Sequence, residues 1–241
     1  MKALRLEWYR EKRTGLLWLF IGGGILSALY AITLFAVRRE MYLSMKADRM
    51  VILLTQMYGV IMMITMIALI VGAFMLYNIE FQGSAIKKLY MLPIQPVSVF
   101  GAKFLMIIFF LMLCTVISFL GLLIDGILFL PEGDFVLGEW IRFGVYSFVT
   151  ALPVAGFMIL IASQFENPWI PLGVGVGGLL SGMALGTMTN PLIIIDPFVI
   201  MMKPAMTMTT TMEISVVACA LLETVIFFTL GLFLAKKRHY E

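Results

Sequence analysis

A carboxylate in the middle of a hydrocarbon-length apolar run is the most costly residue in this sequence. Glu223 lies within the run Ile214 to Ala235. At such a depth an acidic side chain costs about 2.5–3.5 kcal/mol unless it is protonated, paired or facing water. It reads in two ways: as a polar point on a substrate or ion path or between subunits, or as a protonated group bonded to a neighbouring helix. Glu132, Asp134 and Glu139 form a second set, between Pro131 and Trp140. With no cation before Arg142 they make an acidic patch able to attract a cationic ligand, or merely a solvated loop. Asp125 is expected at the membrane interface and Glu166 in water. A third set mixes charge with periodicity. Ile86, Leu89 and Tyr90 recur at i, i+3, i+4, with Lys87 and Lys88 off that stripe. Glu80 precedes a turn at Gly83-Ser84, and Pro93 disfavours helix at Leu92. A short amphipathic helix of this kind lies on a bilayer or docks into a partner's groove.

Other chemistry is missing from the sequence. The single histidine, His239, lies beside Lys236, Lys237 and Arg238. No Ser–His pair and no H-E-x-x-H metal motif can therefore form. Ser181, within Gly178 to Gly182, has no evident base. The glycine run Gly173 to Gly178 lacks the lysine of a phosphate-binding loop, so ATP, if used, is held by another polypeptide. The cysteines, Cys114 and Cys219, fall inside apolar runs. Met201, Met202, Met206, Met208 and Met212 are soft ligands in principle and apolar filler otherwise. No metal, no cofactor and no nucleic-acid partner is expected of this chain, and no catalytic residue.

The elements that must position these groups follow from composition. Of 241 residues, 62% are apolar and 13% charged. A water-facing globule does not tolerate that much exposed apolar surface. The apolar runs are continuous rather than alternating, which selects helices over a closed barrel. The expected architecture is all-α and polytopic. Six spans cover about 16–37, 51–77, 104–124, 141–163, 170–188 and 214–235. An interfacial helix covers about 1–14, and an inner segment 78–103. A proline-punctuated re-entrant or interfacial piece lies before the last span, between 189 and 213. In the first helix Leu4, Leu6, Trp8 and Tyr9 are expected to be buried. Arg5, Glu7, Arg10, Glu11, Lys12 and Arg13 are expected to face water and lipid phosphate. The basic start reads as the flank of an uncleaved span rather than a signal peptide. Eleven of the 17 Lys and Arg fall on the side that holds both termini, which places that side in the cytoplasm. The first outer loop, with Arg38, Arg39, Lys46 and Arg49, runs against this bias.

The pattern resembles the ABC type-2 permeases. The likeness rests on the basic N-terminal helix, the six spans, the inner segment Glu80…Lys87-Lys88…Leu92-Pro93-Ile94…Lys103, and the broken apolar pieces before the last span. More narrowly, Glu7-Trp8-Tyr9-Arg10-Glu11-Lys12-Arg13 and Phe165-Glu166-Asn167-Pro168-Trp169-Ile170-Pro171-Leu172-Gly173 are similar to the permeases of bacterial lantibiotic-immunity transporters. The resemblance implies a single permease domain in the plasma membrane. It would pair with a second permease subunit, identical or related, above two copies of an ATP-binding subunit carrying ATP and Mg. Ile86 to Leu92 would be the coupling helix, with Glu80 at its membrane end and Lys87 or Lys88 facing acidic groups of the ATPase. The implied substrate is an antimicrobial peptide removed from the bacterial membrane. The competing expectations are export of another amphipathic or lipid substrate, and an ion-coupled carrier or channel centred on Glu223.

Overall fold

A computed structural model describes residues 2–11, 14–45, 47–81, 96–131, 133–186, 191–207 and 209–237. Every regular element among them is helical. Helix α1 spans Lys2–Glu11, α2 Leu16–Val37, α3 Arg39–Leu43 and α4 Arg49–Phe81. Then come α5 Pro96–Phe129, α6 Leu137–Gln164, α7 Trp169–Leu185, a 3-10 turn Pro191–Ile195, α8 Pro197–Met206 and α9 Ile214–Lys237.

Local chemistry sets several of the starts. The Asp48 carboxylate accepts from Met50 N at 2.8 Å ahead of α4, and Asn167 accepts from Trp169 N at 3.1 Å ahead of α7. Asp196 caps α8 through Phe198 N at 2.9 Å, with Pro197 in the first turn, where its missing N–H is harmless. Hydroxyls within the long helices, such as Ser27, Thr55, Thr115 and Ser118, donate to carbonyls one turn back and so need no water.

Helices α2, α4, α5, α6 and α9 are long and apolar enough to cross a bilayer, while α7 is a shorter apolar helix of 17 residues. At 1.5 Å per residue α7 reaches about 25 Å, short of the ~30 Å hydrocarbon thickness. The helix of the expected fifth span runs to Leu185, and residue 188, the expected limit, lies outside the described residues. Beyond it the 3-10 turn and α8 return along the bundle: Phe198 lies over Gly178, and Met202 over Gly182. The proline-punctuated segment is thus a packed helical hairpin, with Phe198, Val199, Ile200, Met201 and Met202 all buried. Helix α5 begins at Pro96, so residues 96–103 of the expected inner segment belong to the third span's helix, and 78–81 complete α4.

The bundle has two ends. At the basal end, Lys103 near the start of α5 meets α1 and the last turns of α4, and Phe100 lies against Gly231 of α9. At the distal end, Arg49 at the start of α4 meets Asp134 beyond α5, and Thr210 ahead of α9 meets Glu139 of α6. The described N-terminal and C-terminal helices both have their outer ends at the basal side. Helices α4 and α6 are the most enclosed, and α2 and α9 lie outermost.

In hydrocarbon no hydrophobic drive pulls helices together, so close backbone approach carries the packing. A Cβ on Gly121 would lie 2.7 Å from Ala28 Cα, backbone against backbone, at the centre of the α2–α5 contact. Gly121→Val should therefore force α2 away and lower stability by about 1–3 kcal/mol. Gly173→Ala, at a site with open space beside it, should be near neutral. Thermal unfolding of both variants in the same detergent tests the contrast.

Candidate functional site

The best-formed polar site lies at the basal end, and its centre is a lysine. Lys103 is fully buried on α5, eight residues into the helix that starts at Pro96. Its Nζ approaches Glu7 Oε2 of α1 to 2.9 Å, an ion pair rather than an aligned hydrogen bond. The same ammonium donates to the Leu76 carbonyl in α4 and lies 5.1 Å from the centre of the Tyr77 ring. Glu7 is also held by Arg10 Nη1 at 2.8 Å. Glu11, one turn along α1 and likewise buried, accepts from the Thr14 hydroxyl at 2.9 Å. Burial pushes its carboxyl above the ordinary value, and the nearby charge of Lys103 opposes that shift.

Two of the carboxylates expected in water are therefore enclosed by protein: Glu7 and Glu11 are buried, while Leu4 and Tyr9 are 42% and 58% exposed on the surface open to lipid. Two contacts explain which face turns inward. The lysine inside α5 needs a counter-charge, since an uncompensated buried cation is far more costly than a paired one. Trp8 meanwhile stacks on Phe110 with centroids 5.9 Å apart and meets the edge of Phe109 at 5.8 Å. Aromatic and ionic contacts on one side fix which face of α1 turns inward. The signal was present in the sequence: Glu7 and Glu11 stand at i, i+4, and Lys103 is the lone charge between Val97 and Ile124.

The position of this cluster gives it meaning. The last turns of α4 and the first turns of α5 flank residues 82–95, and one ammonium ties both to α1. The expected coupling residues Ile86, Lys87, Lys88, Leu89, Tyr90, Leu92 and Pro93 lie outside the described residues. So does the side chain of Glu80, whose backbone closes α4. Glu166, expected in water, is exposed, on the connection that lines a small cleft with Tyr77 and Asn78.

At the distal end the acidic set is engaged by this chain's own cations. Asp134 Oδ2 sits 2.7 Å from Arg49 Nη1. Glu139 lies 3.9 Å from Arg142 and accepts from Thr210 at 3.2 Å. Glu132 lies outside the described residues. The Arg49–Asp134 pair also accounts for one cation of the basic first outer loop, because the loop after α5 supplies its countercharge. Asp125, expected at the interface, is fully buried, and neither carboxylate oxygen has a hydrogen-bond partner.

Glu223 is half-buried on α9, with Oε2 enclosed and without a hydrogen-bond partner. Asp196 at the head of α8 is near enough to act on it electrostatically. Ser181, which had no evident partner in the sequence, donates to Asp196 Oδ2 at 3.0 Å. Among the described residues no group of three or more His, Cys, Asp or Glu is placed to hold a metal ion.

Residues 3–182 match the family model described as ABC-2 family transporter protein. No curated protein matches the chain. The match covers about three quarters of the sequence, and the chain belongs to the ABC-2 transporter family. It is a multi-pass transmembrane permease subunit of an ABC transporter, a complex that includes an ATPase partner, and it is not itself the catalytic chain.

Removing the central cation tests how much the basal cluster holds. Lys103→Met keeps the length of the side chain and removes its charge, leaving Glu7 buried with Arg10 alone. It should destabilise the protein by about 3–5 kcal/mol, the usual cost of breaking a buried pair from one side. Lys236→Met, at the exposed end of α9, should change stability by less than about 0.5 kcal/mol. Denaturation curves in detergent micelles report both.

Proposed function

We propose that this ABC-2 permease works in a bacterial plasma membrane as half of the membrane core of an ATP-driven exporter. Its cargo is a lantibiotic or a related antimicrobial peptide, whose removal from the membrane gives immunity or resistance. Two permease subunits, identical or related, stand above two copies of the ATP-binding subunit, which carry ATP and Mg. Both termini lie in the cytoplasm, so the basal end is the ATPase side.

The observation that carries this reading is the family match together with what the basal end contains. A permease without a catalytic set must receive its energy mechanically. Here the two helices flanking 82–95 are joined to α1 by a buried, charge-assisted contact. In the proposed cycle the segment Ile86 to Leu92 docks into the ATPase, with Lys87 or Lys88 against acidic groups. Closure of the ATPase dimer on ATP shifts the equilibrium between arrangements of the spans. The peptide assignment rests on the likeness of the Glu7 to Arg13 and Phe165 to Gly173 stretches to lantibiotic-immunity permeases. Export of another amphipathic or lipid substrate uses the same machinery and differs only in cargo.

A second reading has its own observation. What supports it is Glu223, with an oxygen enclosed and unbonded and Asp196 near enough to act on it, a costly group for an apolar helix unless it serves as a proton or cation site. It requires activity without an ATPase, abolished by Glu223→Gln.

Affinity purification from the native membrane in gentle detergent, with every co-purifying chain identified by mass spectrometry, separates the two. A P-loop ATPase in equal amount is the expected result, and a second permease species would make the pair a heterodimer. Lys87→Glu with Lys88→Glu should cut the recovered ATPase about tenfold or more while leaving the permease folded, since like charges then face each other in the docked complex. A permease that elutes alone and folded, with ion flux dependent on Glu223, would replace the exporter by the carrier.

A further inference from the structure

Helix α1 carries two buried carboxylates, and the ammonium opposite is in direct contact with one of them. Glu7 and Glu11 are four residues apart, one turn on the same face. Lys103 touches Glu7 at 2.9 Å and acts on Glu11 through its charge alone. Glu11 is occupied only by Thr14, from the turn immediately after the helix. We propose that Glu7 and Glu11 are alternative partners of the Lys103 ammonium, so that α1 is a lever with two registers on α5. A shift of α1 along its axis by one turn, about 5.4 Å, would hand the cation from one carboxylate to the next.

Three features of the structure fit such a shift. The connection to α2 turns at Gly15, with φ 80 and no atom within 4 Å of where a Cβ would stand, so the hinge is unobstructed. Helix α1 packs chiefly on α5, the helix along which it would slide. The resting register has a distinct bias, because Trp8 stacks on Phe110 in it, and after the shift Lys12 would take the place of Trp8. The second register is therefore the minor one at rest, as a driven state requires. Glu7 and Glu11 act as positioning residues through Lys103. The use of the lever in transport rests on the permease reading, whereas the pair of registers rests on geometry alone.

The decisive test is a stability cycle on the permease in nanodiscs. Glu7→Gln alone should lower the melting temperature only slightly, because Lys103 re-pairs with Glu11. Glu11→Gln alone should leave it unchanged or raised, because a buried carboxyl without a direct cation is removed. The double variant should fall by about 10 °C or more, well beyond the sum of the two. A Glu7→Gln chain as unstable as the double variant, or unable to fold, overturns the proposal.

A photo-crosslinking amino acid at the half-exposed Phe109 site, 5.8 Å from Trp8, reads the register itself. In the wild-type chain it should capture Trp8. With the ATPase bound, ATP and vanadate should move capture four residues, to Lys12, and Glu11→Gln should keep it at Trp8. Glu7→Gln without nucleotide should raise the Lys12 share at least about tenfold. Capture fixed at Trp8 in a complex that hydrolyses ATP overturns the lever. If no ATPase co-purifies, the permease reading fails instead, and the stability cycle alone decides between one partner and two.

Discussion

The constraint on which the basal half of this molecule depends is a lysine ammonium enclosed by protein inside a membrane-crossing helix. Burying a charge there is tolerable only if opposite charge and directed dipoles meet it. Lys103 meets both, in Glu7 from α1 and the Leu76 carbonyl from α4, with the Tyr77 ring supplying a cation–π contact. Because the lysine and its partners come from three separate stretches of chain, satisfying one cation determines where the N-terminal helix lies. It also determines how α4 and α5 approach each other as they leave for residues 82–95. Apolar contacts alone would allow those helices to slide and rotate, since dispersion and burial are not directional.

The rest of the bundle follows a different rule. Lipid is as apolar as leucine, so helices gain by approaching closely rather than by burying oil. Gly121 against Ala28, Gly72 against Phe20 and Gly178 beneath Phe198 are the points of approach. The short α7 shows what this allows. Its glycines let α8 lie back against it, Phe198 over Gly178 and Met202 over Gly182. The methionines there, Met201 and Met202, are fully enclosed and fill that contact.

Much of this was legible from composition and run length. The all-helical fold and the apolar spans follow from hydrocarbon thickness and from the backbone's need to pair internally, and the limits of α2 coincide with its apolar run. What was not legible was which polar residues would find each other across the sequence. Glu7 and Glu11 were expected to face water because an amphipathicity argument treats every carboxylate as water-seeking, while Glu7 had a buried lysine nearly a hundred residues away to face. The start of α5 was missed for a related reason. Polar Lys103 and Pro96 read as loop, although proline suits a first helical turn and the lysine is satisfied by tertiary partners. That Asp125 would be enclosed by protein was equally hidden, and Ser181 had a partner that only folding could reveal.

The two ends of the molecule also differ in how their charges are used, and that asymmetry bears on mechanism. At the distal end Arg49 and Asp134 are 44% and 36% exposed, so water screens the pair and it contributes little to stability. Such a pair can break and reform without much cost. At the basal end Lys103 and Glu7 are each 1% exposed. There a pair cannot simply dissociate, because neither group has water to turn to. Movement at that end must conserve the pairing, either by carrying α1, α4 and α5 together or by exchanging one carboxylate for another. Either route makes the position of α1 follow that of α5, so the two helices cannot drift independently at that end.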